Sequence, residues 1–294
     1  MSTNLIPALQ KDDALLKDIQ RAASEREAFH LWWLGQSGYL IQWRGRYLLL
    51  DPYLSDSLTH KYARTEKPHV RMSERVVDPN RLNFIDVVTS SHNHTDHLDG
   101  ETLQPLLRVN PDLKLVIPEA NRAFVAERLD IAPLLPIGLN DGESVTVADF
   151  TIHAVPAAHE TVERDDAGCS RFLGYVVQFG PYTVYHSGDT LRYEGMVDHL
   201  APFNVDVALL PINGSAPERK VAGNLNAEEA VRLGKDIKAR TVIPCHYDMF
   251  TFNTADPDVF VREAETQKQN YQVLRGGERW SSYQLPPVSN NNHP

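Results

Sequence analysis

Short runs of aromatic and aliphatic residues, separated by glycine-bearing turns, constrain the fold of this chain more than any other feature. The runs at 30–34, 39–43 and 46–50 have the length of β-strands, and glycines lie between them. Alternation of strands with helices predicts a mixed α/β fold built around one core. Further strand-like runs, with helix-like segments between them, occur at 84–89, 113–117, 144–155, 172–185, 206–211 and 241–244.

Helices are predicted where apolar residues recur at helical spacing. An amphipathic helix is expected at about 9–28, a short helix at 119–129 and a last helix at about 257–267. Asn226 and Glu229 have the spacing of a capping box, which predicts that another helix begins there. The polar stretch 53–80 has little apolar periodicity and is predicted to be a long surface loop.

The length and apolar content suit one large domain. The chain has 294 residues, of which 42% are hydrophobic, and this is enough for a substantial core. No linker divides the sequence. We predict an N-terminal helical extension at 1–29 that packs on the core, a main domain at 30–285 and a flexible tail at 286–294.

Charge and composition exclude several classes of function. The formal net charge is -10, so long-range electrostatics oppose binding to nucleic acid. Cys169 and Cys245 are too few to form a disulfide framework, and no apolar stretch approaches the ~20 residues of a membrane span. These features predict a cytoplasmic protein with neither a nucleic-acid nor a membrane partner. The sequence leaves open whether the protein is a homo-oligomer.

The strongest chemical signal is a cluster of metal-binding residue types directly after a predicted strand. Imidazole and carboxylate are ligands for zinc, manganese or iron, and the spacing allows a turning loop to offer one pair to each of two ions. A polar surface loop is the alternative, but four such side chains within six residues favour a metal site. The four residues are His92, His94, Asp96 and His97.

Three later residues complete a candidate ligand set. Asp189 and His246 each follow a strand-like run, and His159 follows the strand that ends near residue 155. His153 competes with His159, but it lies within an alternating strand, whereas His159 lies in a loop. We interpret His186 as a core residue or as a support for a ligand.

The motif from His92 to His97, together with the order of His159, Asp189 and His246, resembles the signature of the metallo-β-lactamase superfamily. The resemblance covers about 31–252. It implies an α/β (α+β) fold, namely a four-layer αββα sandwich of two mixed sheets with helices on both outer faces. Within the superfamily, the motifs at 34–38, 51–56 and 246–250 are similar to those of the ascorbate-6-phosphate lactonase group.

The resemblance also implies how the ligands divide between two divalent ions, zinc or manganese, with iron as a further option. Paired ions lower the pKa of a shared water, so a bridging hydroxide would attack the substrate. Asp96 would then act as general acid. Asp51 is expected to orient a ligand histidine. The first ion would be held by His92, His94 and His159, the second by Asp96, His97 and His246, with Asp189 bridging both.

The substrate is expected to be a small anion. The loop at 60–75 carries more basic than acidic residues, and Lys61 and Arg64 are its candidate anion contacts. Asn213 and Asn224 could donate hydrogen bonds from a second wall. Tyr247, beside His246 in the narrower motif, is assigned to the substrate as well.

Hydrolysis of a lactone or ester of a phosphorylated or acidic sugar-like molecule is the leading hypothesis. Phosphodiester hydrolysis is the alternative, since two metals support in-line displacement. A redox di-iron protein is disfavoured because electron-transfer relatives usually carry an attached flavin domain and a carboxylate at the position of His94. A binding-only protein is disfavoured because no ligand of the set is missing.

Overall fold

The computed structural model describes residues 5–219 and 223–287. Its first helix, α1 (Asp12–Ala22), is shorter than predicted at both ends. Leu15, Ile19 and Ala22 recur at helical spacing and are buried, so α1 packs on the body as expected. The domain boundaries remain a prediction, and residues 288–294 of the predicted tail lie outside the described residues.

Within the described residues, the first sheet has seven strands in the order β13-β1-β2-β3-β4-β5-β6. Antiparallel pairing joins β13, β1, β2 and β3, whereas β3 to β6 are parallel, so the sheet is mixed. The strands are β1 (His30–Gly35), β2 (Gly38–Trp43), β3 (Arg46–Leu50), β4 (Val87–Thr89), β5 (Lys114–Pro118), β6 (Ile137–Leu139) and β13 (Arg279–Ser281).

The second sheet is also mixed, with the order β12-β11-β10-β9-β8-β7. Strands β10, β11 and β12 are parallel, and β7 to β10 pair antiparallel. Its strands are β7 (Ser144–Val147), β8 (Phe150–Pro156), β9 (Leu173–Phe179), β10 (Tyr182–His186), β11 (Val207–Pro211) and β12 (Thr241–Cys245).

Side chains alternate between two cores, and this alternation builds the layers. On β2, Tyr39 and Ile41 belong to the core shared with the second sheet, whereas Leu40 packs in a separate core with Leu15 and Leu103. The first sheet is therefore covered by helices on its outer face and by the second sheet on its inner face. Leu233 extends the shared core to the helices beyond the second sheet. The predicted four-layer αββα sandwich is confirmed.

Some of the remaining helices have a strong local signal at their start. Asp99 caps α3 by accepting from the Glu101 amide, and Asn226 and Glu229 form the predicted capping box of α6. The prediction of an irregular loop at 53–80 missed α2, whose short length gave no periodic signal. The helices are α2 (Ser57–Tyr62), α3 (Gly100–Val109), α4 (Arg122–Leu129), α5 (Met196–Leu200), α6 (Ala227–Asp236) and α7 (Pro257–Gln267).

No helix in the described part of the chain combines the length and the apolar character needed to cross a membrane.

Candidate metal centre

Loops that follow four strands carry the predicted metal ligands. The 92–97 segment follows β4, His159 follows β8, Asp189 follows β10 and His246 follows β12. Strands that run in the same direction end at the same edge of a sheet, so loops after their carboxyl ends can meet there. The four loops do meet, and the structure brings all seven predicted ligands together.

The seven side chains form two adjacent groups that share Asp189. In each group the ligand atoms lie within 4.8 Å of one another. Asp189 Oδ1 lies 3.0 Å from His246 Nε2 and 3.2 Å from His97 Nε2, while Oδ2 lies 3.5 Å from His159 Nε2. One carboxylate oxygen therefore faces each group. The first group is His92, His94, His159 and Asp189, and the second is Asp96, His97, Asp189 and His246.

The spacing and the unsatisfied atoms of these groups fit divalent metal ions. Ligands about 2.0 to 2.1 Å from a tetrahedral ion lie roughly 3.3 Å apart, close to the distances around Asp189. The Nε2 atoms of His92 and His97 and Oδ1 of Asp189 are buried without a hydrogen-bond partner. Buried polar atoms left unpaired cost free energy, and a metal ion would satisfy all three.

Asp51 contacts the second ligand group through a hydrogen bond to His97. Its Oδ2 lies 2.7 Å from Nδ1 of His97, which therefore donates its ring proton and directs Nε2 toward Asp96 and Asp189. Burial alone would raise the pKa of Asp51, but His186 and His97 lower it below its usual value. Asp51 is thus an ionised partner that fixes the orientation of His97. This is the geometry expected for the predicted supporting role.

Electrostatics prepare the two groups differently. Burial, reinforced by neighbouring imidazoles, holds the pKa of His92 well below its usual value and lowers that of His94 to about 4. Burial opposes the charge on His97 too, yet Asp189 and Asp96 raise its pKa well above the usual value. Burial would raise the pKa of Asp189, but His246 and His97 lower it strongly. Without metal, His97 is therefore protonated, and its positive charge offsets the negative charge of the neighbouring Asp189 and Asp96 carboxylates.

Metal uptake at pH 7 is expected to release at least one proton per chain, because His97 must lose the proton that it holds in the metal-free protein. The raised pKa keeps His97 protonated in the metal-free protein, whereas a metal requires a neutral Nε2. Metal affinity should therefore rise with pH until that raised pKa is passed. Calorimetric titration with Zn²⁺ in two buffers of different ionisation enthalpy measures the release. His94 is already neutral at pH 7, so it contributes no proton. Uptake without proton release would contradict this assignment.

Gln36 is a site residue that the sequence analysis did not assign. It lies in the turn between β1 and β2, and its Nε2 donates to Asp96 Oδ2 at 2.8 Å. The same Nε2 lies 3.1 and 3.2 Å from the two ring nitrogens of His246. Gln36 therefore holds a carboxylate oxygen of Asp96 against the second group. Its position directly after a strand, between Gly35 and Ser37, is the sequence signal that could have identified Gln36 as a site residue.

A cavity of about 490 Å³ opens above the two groups. Lys61, predicted to contact substrate, lines it, and so do Lys67 and Arg128, which were not predicted. Arg128 Nη1 donates to Asn93 O at 2.8 Å and so lies against the ligand loop. The cavity thus combines a floor of metal-binding side chains with basic side chains on its walls.

Four predicted substrate contacts do not line this cavity. Arg64 is exposed at the surface and does not line the cavity. Tyr247 is 2% exposed; its hydroxyl donates to Leu274 O and its ring stacks on Trp33, so it is a core residue. Asn213 and Asn224 are buried behind the wall, where Asn224 Nδ2 donates to Asn213 Oδ1 at 3.0 Å.

The competing histidines lie outside the ligand groups. His153 Nε2 lies 3.0 Å from Gln178 Oε1 on the neighbouring strand, as expected for a residue within a sheet. His186 is fully buried and its Nε2 donates to Ser37 O at 2.9 Å. His159 instead directs Nε2 toward Asp189, because its Nδ1 donates to Gly223 O at 2.8 Å.

Two mixed sheets between helical layers carry the His/Asp groups at the edge where strands end, and this arrangement suits metal-dependent chemistry. A model of the β-lactamase superfamily domain matches residues 46–247, more than half of the chain. The chain therefore belongs to the metallo-β-lactamase superfamily of metal-dependent hydrolases.

Individual relatives agree with this assignment. A UPF0173 metal-dependent hydrolase from Saccharolobus solfataricus is 29% identical over 250 residues, which are 84% of this chain and 96% of that protein. An isothiocyanate hydrolase from Delia radicum gut bacteria has a TM-score of 0.68 at 20% identity, covering 85% of this chain and 98% of that one. Igni18, a metallo hydrolase from Ignicoccus hospitalis, has a TM-score of 0.62 at 22% identity, covering 86% and 98%. The two structural matches show the shared fold alone.

Proposed function

We propose that this chain is a two-metal hydrolase that opens a lactone or ester of a small anionic, sugar-like molecule. One observation carries the proposal: Asp189 is shared by two ligand groups that face one cavity with basic walls. The motifs that resemble the ascorbate-6-phosphate lactonase group supply the substrate class.

The metal ligands, Asp96 and Asp51 would each have a separate role in the proposed hydrolysis. Two divalent ions, zinc or manganese, would supply Lewis acidity to a substrate oxygen and lower the pKa of a water molecule toward neutrality. Asp96 lines the cavity, and its Oδ2 is held by Gln36. Its other oxygen makes no hydrogen bond within the described residues, so the ionised carboxylate is available to take the proton of the attacking hydroxide and to pass it to the leaving alkoxide. Asp51 keeps His97 oriented throughout.

The cavity favours a small substrate that carries negative charge and hydroxyl groups. About 490 Å³ suits a metabolite rather than a polymer segment. Lys61 and Arg128 favour an anion, which matters in a chain whose net charge is -10. His69 also lines the cavity, and its Nδ1 donates to Lys67 O at 2.7 Å. Burial lowers the pKa of His69, so a neutral Nε2 remains to accept from a hydroxyl.

Phosphodiester hydrolysis is the second candidate, because paired metal groups with a shared carboxylate can stabilise both the attacking and the leaving oxygen of an in-line displacement. The same basic walls would accept a phosphodiester.

A parallel assay of the metal-loaded protein separates the two reactions. One arm offers sugar lactones and simple esters, and the other offers bis(p-nitrophenyl) phosphate and cyclic nucleotides. We expect turnover of at least one anionic lactone or ester above that of neutral analogues, and loss of turnover on chelation. Diesterase activity without lactone or ester turnover would reverse the ranking. If anaerobic metal analysis shows that the protein is loaded and neither arm shows turnover, a redox or binding role would be favoured instead.

A further inference from the structure

The cavity wall formed by the segment after β12 contains an amide whose orientation is fixed by its neighbours. Asn253 lines the cavity and has a backbone φ of 58°, a left-handed conformation that asparagine tolerates better than most residues. The residue is half-buried, so part of its side chain faces the open space.

Both hydrogen bonds to the Asn253 side chain use its oxygen. Arg219 Nη1 lies 2.8 Å from Asn253 Oδ1, and Asn213 Nδ2 lies 3.0 Å from the same atom. A guanidinium can only donate, so the atom that Arg219 contacts must be the amide oxygen. The oxygen of the Asn253 amide is therefore the atom that faces the wall.

The network behind the wall holds this arrangement in place. Arg219 Nη2 donates to Asn213 O at 2.7 Å, and Asn224 Nδ2 donates to Asn213 Oδ1 at 3.0 Å. The Asn213 amide oxygen is thereby engaged, so its nitrogen is the atom that donates to Asn253. Asn213 and Asn224, predicted as substrate contacts, instead orient the residue in front of them.

The nitrogen of Asn253 has no hydrogen-bond partner among the residues that the structure describes. With its oxygen doubly engaged at the wall, Nδ2 carries two N–H donors toward the cavity. We propose that Asn253 Nδ2 binds an anionic oxygen, of a carboxylate or a phosphate, on the part of the substrate away from the reacting bond. This inference rests on the proposed function, because it names the group that the same cavity selects.

Asn253→Asp is the decisive variant because it preserves the wall. One carboxylate oxygen would still accept from Arg219 and Asn213, and aspartate also tolerates the left-handed backbone. The other oxygen would replace the cavity-facing donor with a negative acceptor. Asn253→Gly is the second variant, since glycine accepts the backbone conformation and removes the amide altogether. Asn83→Asp is the matched control, because Asn83 is exposed and lies in a different surface cleft.

Calorimetric binding to the zinc-loaded full chain tests the proposal with glucose 6-phosphate, gluconate and neutral glucose as probes. We expect at least one anion to bind more than tenfold tighter than glucose, and the preferred anion distinguishes phosphate from carboxylate. Asn253→Gly should weaken that anion about tenfold and Asn253→Asp about 100-fold, with Asn83→Asp unchanged. Melting curves and metal content verify that each variant is folded and loaded.

Three results would overturn the assignment. These are unchanged anion affinity in Asn253→Asp, an equal loss for glucose and the anions, and no preference of wild type for either anion over glucose. The probes need not be hydrolysed. If the substrate panel shows no turnover while the variants still shift anion binding as expected, the proposed reaction fails and the binding role of Asn253 stands.

Discussion

Asp189→Asn is expected to lower the metal content below that of the wild-type protein and to reduce turnover by about a thousandfold. Asp189 is the residue common to both ligand groups, with one oxygen facing each. An amide offers one neutral oxygen and a nitrogen that repels cations, so the paired site loses its shared anion. Several kcal/mol of transition-state stabilisation depend on the metals, and about 1.4 kcal/mol corresponds to a factor of ten.

A buried aspartate outside the site provides the control for this variant. Asp206 accepts from Arg240 Nη1 at 2.7 Å and from the Thr183 amide at 2.9 Å, and it belongs to neither ligand group. Asp206→Asn should lower the melting temperature but leave the metal content unchanged. Elemental analysis and steady-state kinetics on both variants decide the matter. Full metal content with unchanged turnover in Asp189→Asn would refute the shared-ligand assignment.

Asp96→Asn is expected to reduce the hydrolysis of alkyl esters and lactones by about 10² to 10⁴, the range for loss of a general acid. Asp96 lines the cavity, and Gln36 holds one of its oxygens, so the other can transfer a proton. A p-nitrophenyl leaving group departs without protonation, so its hydrolysis should suffer much less when variant and wild type are compared at equal metal content, since Asp96 also belongs to the second ligand group. If Asp96 acted only as a metal ligand, its replacement would reduce the rates of both reactions by the same factor.

Asp99 is the matched control because it lies three positions further along the same loop. Its side chain accepts from the Glu101 amide and caps α3, a role that asparagine also performs. Asp99→Asn should therefore retain metal and activity toward both kinds of substrate. Equal losses for good and poor leaving groups in Asp96→Asn would eliminate proton transfer and leave metal binding as its role.

Local sequence determined the features that depend on neighbouring residues. Four potential ligand side chains placed directly after a strand predict a metal site because one turning loop can present them all. The capping box at Asn226 and Glu229 marked the start of α6 for the same reason. The last helix was predicted at about 257–267 and extends from Pro257 to Gln267, where the Asp256 side chain caps its start.

Tertiary structure decided which side chains face the cavity. Tyr247 is adjacent to His246 in sequence, yet its ring turns into the core to stack on Trp33. Asn213 was predicted to donate a hydrogen bond to the substrate. Its hydrogen bonds with Arg219 and Asn224 instead hold it behind Asn253, which lies 40 positions further along the chain. Contacts of this kind depend on packing between distant segments, so no local pattern contains them.

By itself, the sequence determined the ligand types, their order along the chain and the alternation of strands and helices, because each follows from local spacing and periodic burial. The four-layer arrangement and the bridging role of Asp189 followed from the resemblance to a known superfamily. Only the folded chain decided that Gln36 holds Asp96, that Tyr247 turns into the core and that Asn253 presents its nitrogen to the cavity. The physical reason is that hydrogen-bond direction depends on where donors and acceptors lie in space, and separate segments supply them.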